Sequence, residues 1–266
     1  MNELVSRGKG VFMNNKSFDA KRIAEGYAKR PWLHKDVMEQ IKNDCNIESL
    51  ENGLDVGCGA GLSTKALRLI CNNVTGTDIS SEMIAVCNKL YDDEPYDFYV
   101  AKAEETEIPE TPYDIITAAG VVNWVDRKQF LANAEKILRA NGLIVIYDFW
   151  ITDMMIQNED YTKWYREQYL IKFPKPYRKE NVWRQKDLSE SFIMEKQIKY
   201  NLQYAFEINE FIDFMMIQSN VNEAIEKGYI SIQEVRDWMR NGLQKIFDNE
   251  KRVLVFEGYN WYIRKH

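Results

Sequence analysis

Histidine is scarce in this 266-residue chain: there are two, His34 and His266, and the second is the last residue. Histidine-ligated zinc catalysis needs several convergent imidazoles, and a Ser/His/Asp triad needs one imidazole between a hydroxyl and a carboxylate. Both chemistries have almost nothing to work with here, and His34 reads as a partly exposed helix residue. Cysteine is also sparse. Cys45, Cys58, Cys71 and Cys87 include no C-x-x-C pair, so neither a thiolate zinc site nor a disulfide scaffold is expected. Free thiols of this kind fit a cytoplasmic protein. An excess of positive charge is missing as well. The formal net charge is −6 and the sequence pI is about 5.2. A nucleic-acid binder usually shows a basic face, so no nucleic acid is expected as partner. Long apolar runs are absent: residues 143–149, broken by Asp148, are among the most apolar and are far too short to span a membrane. Arg7, Lys9 and Lys16 are not followed by a signal-peptide core.

What remains has an ordinary globular composition, 45% hydrophobic and 29% charged. The length suits one large domain or two small ones, and the pattern favours a single domain over residues 1–266. Residues 1–45 read as a loose arm followed by two helices lying over the mouth of the domain. Pro31 separates the helices, because proline cannot continue the first one. Residues 46–150 alternate strands (54–57, 74–78, 96–100, 113–119 and 143–149) with helices. Ser80 and Asp126 stand at helix N-caps, and a helix over 62–71 follows the first strand. Asn141-Gly142 reads as the stop of the helix before strand five. Such alternation implies an α/β, doubly wound, mostly parallel sheet. Residues 151–190 are rich in aromatics and charge and predict an inserted helical cap. Trp164, Tyr165, Trp183 and Arg184 are its pocket-lining candidates. Residues 191–266 give a strand, helices over 207–248 with a Ser231/Glu234 capping box, and a closing strand over 252–263. The last two strands predict an antiparallel hairpin that completes a seven-stranded sheet, with Phe211, Phe214 and Met215 as core.

The most informative stretch is Asp55-Val56-Gly57-Cys58-Gly59-Ala60-Gly61. Alternating glycines let the backbone turn tightly and bring its N–H groups against a ligand with no Cβ in the way. The following helix N-terminus adds the positive end of its dipole. Asp78 ends the next strand at the same sheet edge, where a carboxylate takes both hydroxyls of a ribose or else caps the following helix. The dinucleotide fingerprint is G-x-G-x-x-G. Here the third glycine comes one residue early, which suits a ligand with no phosphate at that point.

At these residues the sequence resembles the S-adenosylmethionine-dependent methyltransferases with a Rossmann-like sheet. Residues 54–62 are similar to their first motif and Thr77-Asp78-Ile79-Ser80 to their second. The resemblance implies S-adenosylmethionine as cofactor, leaving as S-adenosylhomocysteine, and the few cysteines and histidines predict no metal. It also implies a cofactor site formed by Tyr27, Arg30, Asp55, Gly57, Cys58, Gly59, Gly61, Asp78, Ile79 and Met83, together with Ala103, Glu104, Ala119, Gly120 and Trp124. Tyr27, Arg30-Pro31 and the run to Asn123-Trp124 look like the trans-aconitate-type and related small-molecule methyltransferases. That group commonly has His where Asn123 stands and Asp where Lys102 stands. The acceptor pocket is then expected at Tyr27, Arg30, Asn123, Trp124 and Trp150. The implied activity is in-line methyl transfer to a small molecule by a monomer or homodimer, with catalysis mainly by positioning. An S-adenosylmethionine-binding protein without transferase activity, an NAD-dependent oxidoreductase, and a methyltransferase acting on protein or nucleic acid are the alternatives.

Overall fold

The computed structural model describes residues 21–175 and 181–266. Seven strands form one sheet: β1 (Leu50–Val56), β2 (Cys71–Asp78), β3 (Tyr96–Val100), β4 (Tyr113–Ala119), β5 (Leu138–Met155), β6 (Phe192–Phe206) and β7 (Arg252–Lys265). Their order is β3-β2-β1-β4-β5-β7-β6. The pairs β1–β2, β2–β3, β1–β4 and β4–β5 are parallel. β7 runs antiparallel to both β5 and β6, which makes it the reversed strand that the closing hairpin predicts. The four residues Gly53 to Val56 pair on both sides, so β1 is central. From β1 the chain winds outward to β2 and β3, then returns to the other side of β1 at β4 and β5. That reversal opens a crevice at the carboxyl ends of β1 and β4, where ligands of doubly wound sheets bind.

Local chemistry sets the helix starts. The Ser80 hydroxyl accepts from the Met83 N–H and opens α4 (Ser81–Leu90). The Asp126 carboxylate accepts from the Gln129 N–H and opens α5 (Arg127–Ile137). Ser231 and Glu234 form the reciprocal capping box of α10 (Ile232–Phe247). Before the sheet come α1 (Lys21–Tyr27) and α2 (His34–Asp44), flanking Pro31. The expected arm at the start of residues 1–45 lies outside the described residues.

Several boundaries differ from the sequence reading. α3 (Leu62–Leu67) ends early, because Leu50 N–H donates to Ile70 O and Cys71 already belongs to β2. α5 stops at Ile137, four residues before the Asn-Gly pair. Asn141, at φ 60, instead sits within β5, where the pairing register with β4 shifts. β5 then runs on to Met155, past the expected end at residue 149.

The helical segment after β5 consists of α6 (Glu159–Trp164), a π-turn over Tyr165–Tyr169 and α7 (Leu170–Lys172). Its aromatic side chains are buried: Tyr161, Trp164, Tyr165 and Tyr169 join one apolar core with α8 (Ile208–Met216), α9 (Ser219–Glu226) and α10. Trp183 is buried in the core on the other side of the sheet, with its ring 5.9 Å from that of Phe130.

Candidate active site

A cavity of about 500 Å³ opens at the crevice beside β1 and β4. This lies within the usual size of small-molecule sites, about 300–1,000 Å³. Its floor is the glycine turn after β1. Gly57, Gly59 and Gly61 all have positive φ, at 65°, 54° and 86°. Their neighbours separate their jobs. A Cβ on Gly57 would stand 2.1 Å from Val121 Cγ1, so this glycine lets the β1 and β4 turns touch. A Cβ on Gly61 would stand 2.7 Å from Tyr91 Cε2, so this one admits α4; it does not line the cavity. At Gly59 only Tyr27 Cδ1 comes within 4 Å, at 3.8 Å. Its face is open to the cavity, which gives a ligand direct approach to bare backbone.

Two carboxylates organise this turn in different ways. Asp78 ends β2, and its two oxygens accept from Gly59 N–H and Ser80 N–H, both at 2.9 Å. It ties the two turns together and lines the cavity. Asp55 is fully buried below the turn. It accepts from Ser63 at 2.5 Å, from Thr64 at 2.8 Å and from Thr117 at 2.8 Å. Burial pushes its carboxyl up to about 6 in spite of the three hydroxyls, and the Asp78 charge adds to the rise. Asp55 therefore fastens β1 to α3 and β4 and does not reach the cavity, which corrects its expected place among the lining residues.

The remaining expected residues divide clearly. Tyr27, Arg30, Cys58, Ile79, Met83, Ala103, Glu104, Ala119, Gly120, Trp124 and Trp150 all line the cavity. Glu104 also accepts from Asp126 N–H at 2.6 Å and so fixes the α5 entrance. Lys102, standing where a carboxylate is common, turns its ammonium to Glu105 at 2.8 Å. Asn123 is exposed and, like Gly61 and Asp55, lies outside the lining, a third correction. Trp164, Tyr165, Trp183 and Arg184 are absent from it too. The first three are core residues, whereas Arg184 is exposed. Phe211 and Met215 are core as expected, but Phe214 reaches the cavity.

The wall that includes Tyr27 joins the expected Arg30 to residues that sequence patterns miss. The Arg30 guanidinium lies over the Tyr27 ring at 3.6 Å and makes no ion pair with a carboxylate among the described residues. Its Nε is buried without a hydrogen-bond partner. His34 opens α2 beside it, with Nδ1 2.9 Å from the Tyr147 hydroxyl and its ring edge-on to Phe149 at 4.9 Å. The ring is half-buried and lines the cavity. Burial, with Arg30 adding to it, pushes the imidazole down to about 3, so it is uncharged at neutral pH. Asp148, Phe149, Gln218 and Ser219 complete this side. One cue to His34 was available: it follows the Arg30-Pro31 break directly, and the first turn of a new helix shares the edge at which the previous one ended.

The parallel sheet with its switch-point crevice and bare glycine turn defines a Rossmann-like domain built for a nucleoside-containing ligand. Residues 54–146 match the family described as methyltransferase domain. A methyltransferase-family protein of Dictyostelium discoideum is 24% identical over 217 residues, covering 79% of this chain and 81% of that protein. A ubiquinone biosynthesis O-methyltransferase of Bradyrhizobium diazoefficiens is 37% identical over 97 residues, but these are only 38% of its length and 35% of this chain. Among solved structures, a type II methyltransferase from Anaeromyxobacter dehalogenans superposes with a TM-score of 0.65 at 16% identity, covering 87% of this chain and 95% of that one. Residues 54–146 thus match a methyltransferase domain, and the chain has the Rossmann-like methyltransferase fold. No helix among the described residues is long and apolar enough to cross a membrane.

Proposed function

We propose that the cavity holds S-adenosylmethionine along the glycine turn and presents its methyl group to a small-molecule acceptor beneath α1 and α2. The observation that carries this reading is the open face of Gly59 beside Asp78 at the switch point. That geometry fits the cofactor: bare backbone for the close approach, a carboxylate at the end of β2 for the ribose hydroxyls, and the apolar Met83 and Ile79 for the adenine. Gly57, Cys58, Ala103, Glu104, Ala119, Gly120 and Trp124 line the remainder, and the buried, unpaired Arg30 Nε suits the cofactor's carboxylate or the acceptor's own anion. When bound, the cofactor supplies an electrophilic methyl on a sulfonium.

The protein's part is alignment and exclusion of water, so no strong base is required. Aromatic faces stabilise a nearby sulfonium by about 0.5–2 kcal/mol. Trp124 and Trp150 serve this better than Tyr27, one face of which already carries Arg30. A cavity of about 500 Å³ favours a small acceptor over a polymer, and the acidic balance of the chain disfavours nucleic acid. We take residues 1–266 as one catalytic domain acting in the cytoplasm as a monomer or homodimer.

The test is calorimetry with S-adenosylhomocysteine. Wild type should bind it, and Asp78→Ala should weaken binding by about 1–3 kcal/mol, the cost of losing a buried polar contact. Unchanged affinity in that variant would remove the ribose role of Asp78. Binding of NADH in place of S-adenosylhomocysteine would remove the whole reading.

A further inference from the structure

The hydrogen bond between His34 and Tyr147 determines which imidazole nitrogen carries the proton. The Tyr147 hydroxyl is fully buried, and His34 Nδ1 is its sole hydrogen-bond partner among the described residues. A phenol has one hydrogen to place. If Nδ1–H were the donor, the Tyr147 hydrogen would be left buried with no acceptor, which folded proteins avoid. With Tyr147 donating to Nδ1, that hydrogen is satisfied and the proton of the neutral imidazole sits on Nε2. Nε2 has no partner among the described residues, and His34 lines the cavity. The wall therefore offers an uncharged N–H donor beside the Arg30 guanidinium. Asp148, the acidic residue of this wall, is held at the Gly120 turn: its Oδ1 accepts from Phe149 N–H at 2.8 Å and stands 3.4 Å from where a Gly120 Cβ would lie.

We propose that His34, locked by Tyr147 as the Nε2–H tautomer, positions the acceptor, and that the acceptor is an oxygen nucleophile already ionised when it binds. The inference rests on the methyl-transfer reading of the cavity. A neutral N–H donor next to a guanidinium attracts an oxyanion and repels an ammonium group. The imidazole is too weak a base to deprotonate a bound alcohol or ammonium at neutral pH, since burial and Arg30 hold it near 3. An ionised oxygen removes the need: it supplies the electron pair of the new O–C bond, the C–S pair departs with sulfur, and no proton is released. Carboxylates and acidic phenols share this chemistry.

The scarcity of histidine makes the test direct. In His266→Gln protein labelled with ¹⁵N-histidine, His34 is the sole imidazole. Its nitrogen shifts should report the neutral Nε2–H form throughout pH 5–8. Tyr147→Phe should bring in the Nδ1–H form. An Nδ1–H tautomer in the parent protein, or a titration near 6.5, would overturn the proposal. In the complex with S-adenosylhomocysteine, benzoate or 4-nitrophenolate should shift the Nε2 resonance while benzylamine should not. The benzoate and phenolate arms distinguish the two oxyanion sources. His34→Phe should weaken binding of whichever anion responds by roughly tenfold, the loss of one hydrogen bond to a charged group, and leave S-adenosylhomocysteine affinity within twofold. A response to benzylamine, to none of the probes, or an unchanged anion affinity in His34→Phe would sink the idea. Failure of wild type to bind S-adenosylhomocysteine would instead sink the methyl-transfer reading beneath it.

Discussion

The joint after β1 and the helices after β5 are built of very different material. On one side the glycine turn, Asp55 and Asp78 form a polar joint, in which backbone N–H groups and hydroxyls converge on two carboxylates within a short stretch of chain. On the other, α6 to α10 bury tyrosine, tryptophan and phenylalanine rings against one another, as where Trp164 stacks on Tyr169 at 5.7 Å. The first region is held by directional contacts and leaves one face open. The second is held by area and shows the cavity only an edge, at Phe214, Gln218 and Ser219. A ligand site needs the first kind of order, because an aromatic residue that is fully enclosed has no surface left to offer.

Substitutions can separate the two. Trp164→Ala should cost about 3–5 kcal/mol of folding stability, as large-to-small core changes do, read from urea unfolding. The fraction that stays folded should bind S-adenosylhomocysteine with wild-type affinity. A large loss of affinity instead would return the aromatic segment to the site. Gly59→Val should do the reverse. It should lower S-adenosylhomocysteine affinity at least a hundredfold, about 2.7 kcal/mol or more, while circular dichroism stays native. The strain of a branched residue at φ 54 adds roughly 1–3 kcal/mol of destabilisation, which the fold should survive.

A subtler contrast lies in acid. The native His34 imidazole sits far below its unfolded value of 6.5, so the unfolded chain takes up a proton that the folded chain refuses. This contribution to stability is intact above pH 6.5 and is lost as pH falls toward 3. Asp55 has the opposite sign: its native value of about 6 exceeds its unfolded value, so it favours folding as pH falls from 6 toward 3.8. The drop in urea midpoint from pH 7 to pH 5 should therefore be smaller in His34→Gln than in wild type, with the Asp55 contribution common to both. Equal drops would mean that His34 is not shielded from water. Smallest of all, Asn123→Ala should leave both stability and S-adenosylhomocysteine affinity within about 0.5 kcal/mol, as exposed sites usually do. A larger change would bring Asn123 into the site from outside the cavity.

The same contrast explains what the sequence revealed. The parallel half was readable because its signals are local: a glycine turn, an Asp at a strand end, a Ser or Asp before a helix. Gly57 to Asp78 lie close along the chain and state their geometry in residue type. The aromatic segment carried no such statement. Trp164 and Trp183 look alike in sequence, yet one is buried with α10 and the other with α5 across the sheet. Only the long-range path of the chain decides that. Asn123 erred for a related reason. Proximity to Trp124 in sequence gave it a place in the cavity, but the loop turns it outward. His34 was undervalued because a lone histidine carries no motif; its meaning lies in Tyr147, far along the chain.

The position of β7 has a consequence for biosynthesis. β6 pairs with β7 alone, so residues 192–206 have no neighbour in the sheet until residues 252–265 have been made. β1 to β5 can assemble on the nascent chain well before that. At about 5–20 residues per second, β6 waits several seconds on the ribosome with Phe192, Leu202 and Phe206 uncovered, all of them buried in the finished sheet. A ribosome that stalls in that interval would release a chain with its glycine turn formed and an unpaired strand exposed to chaperones and proteases.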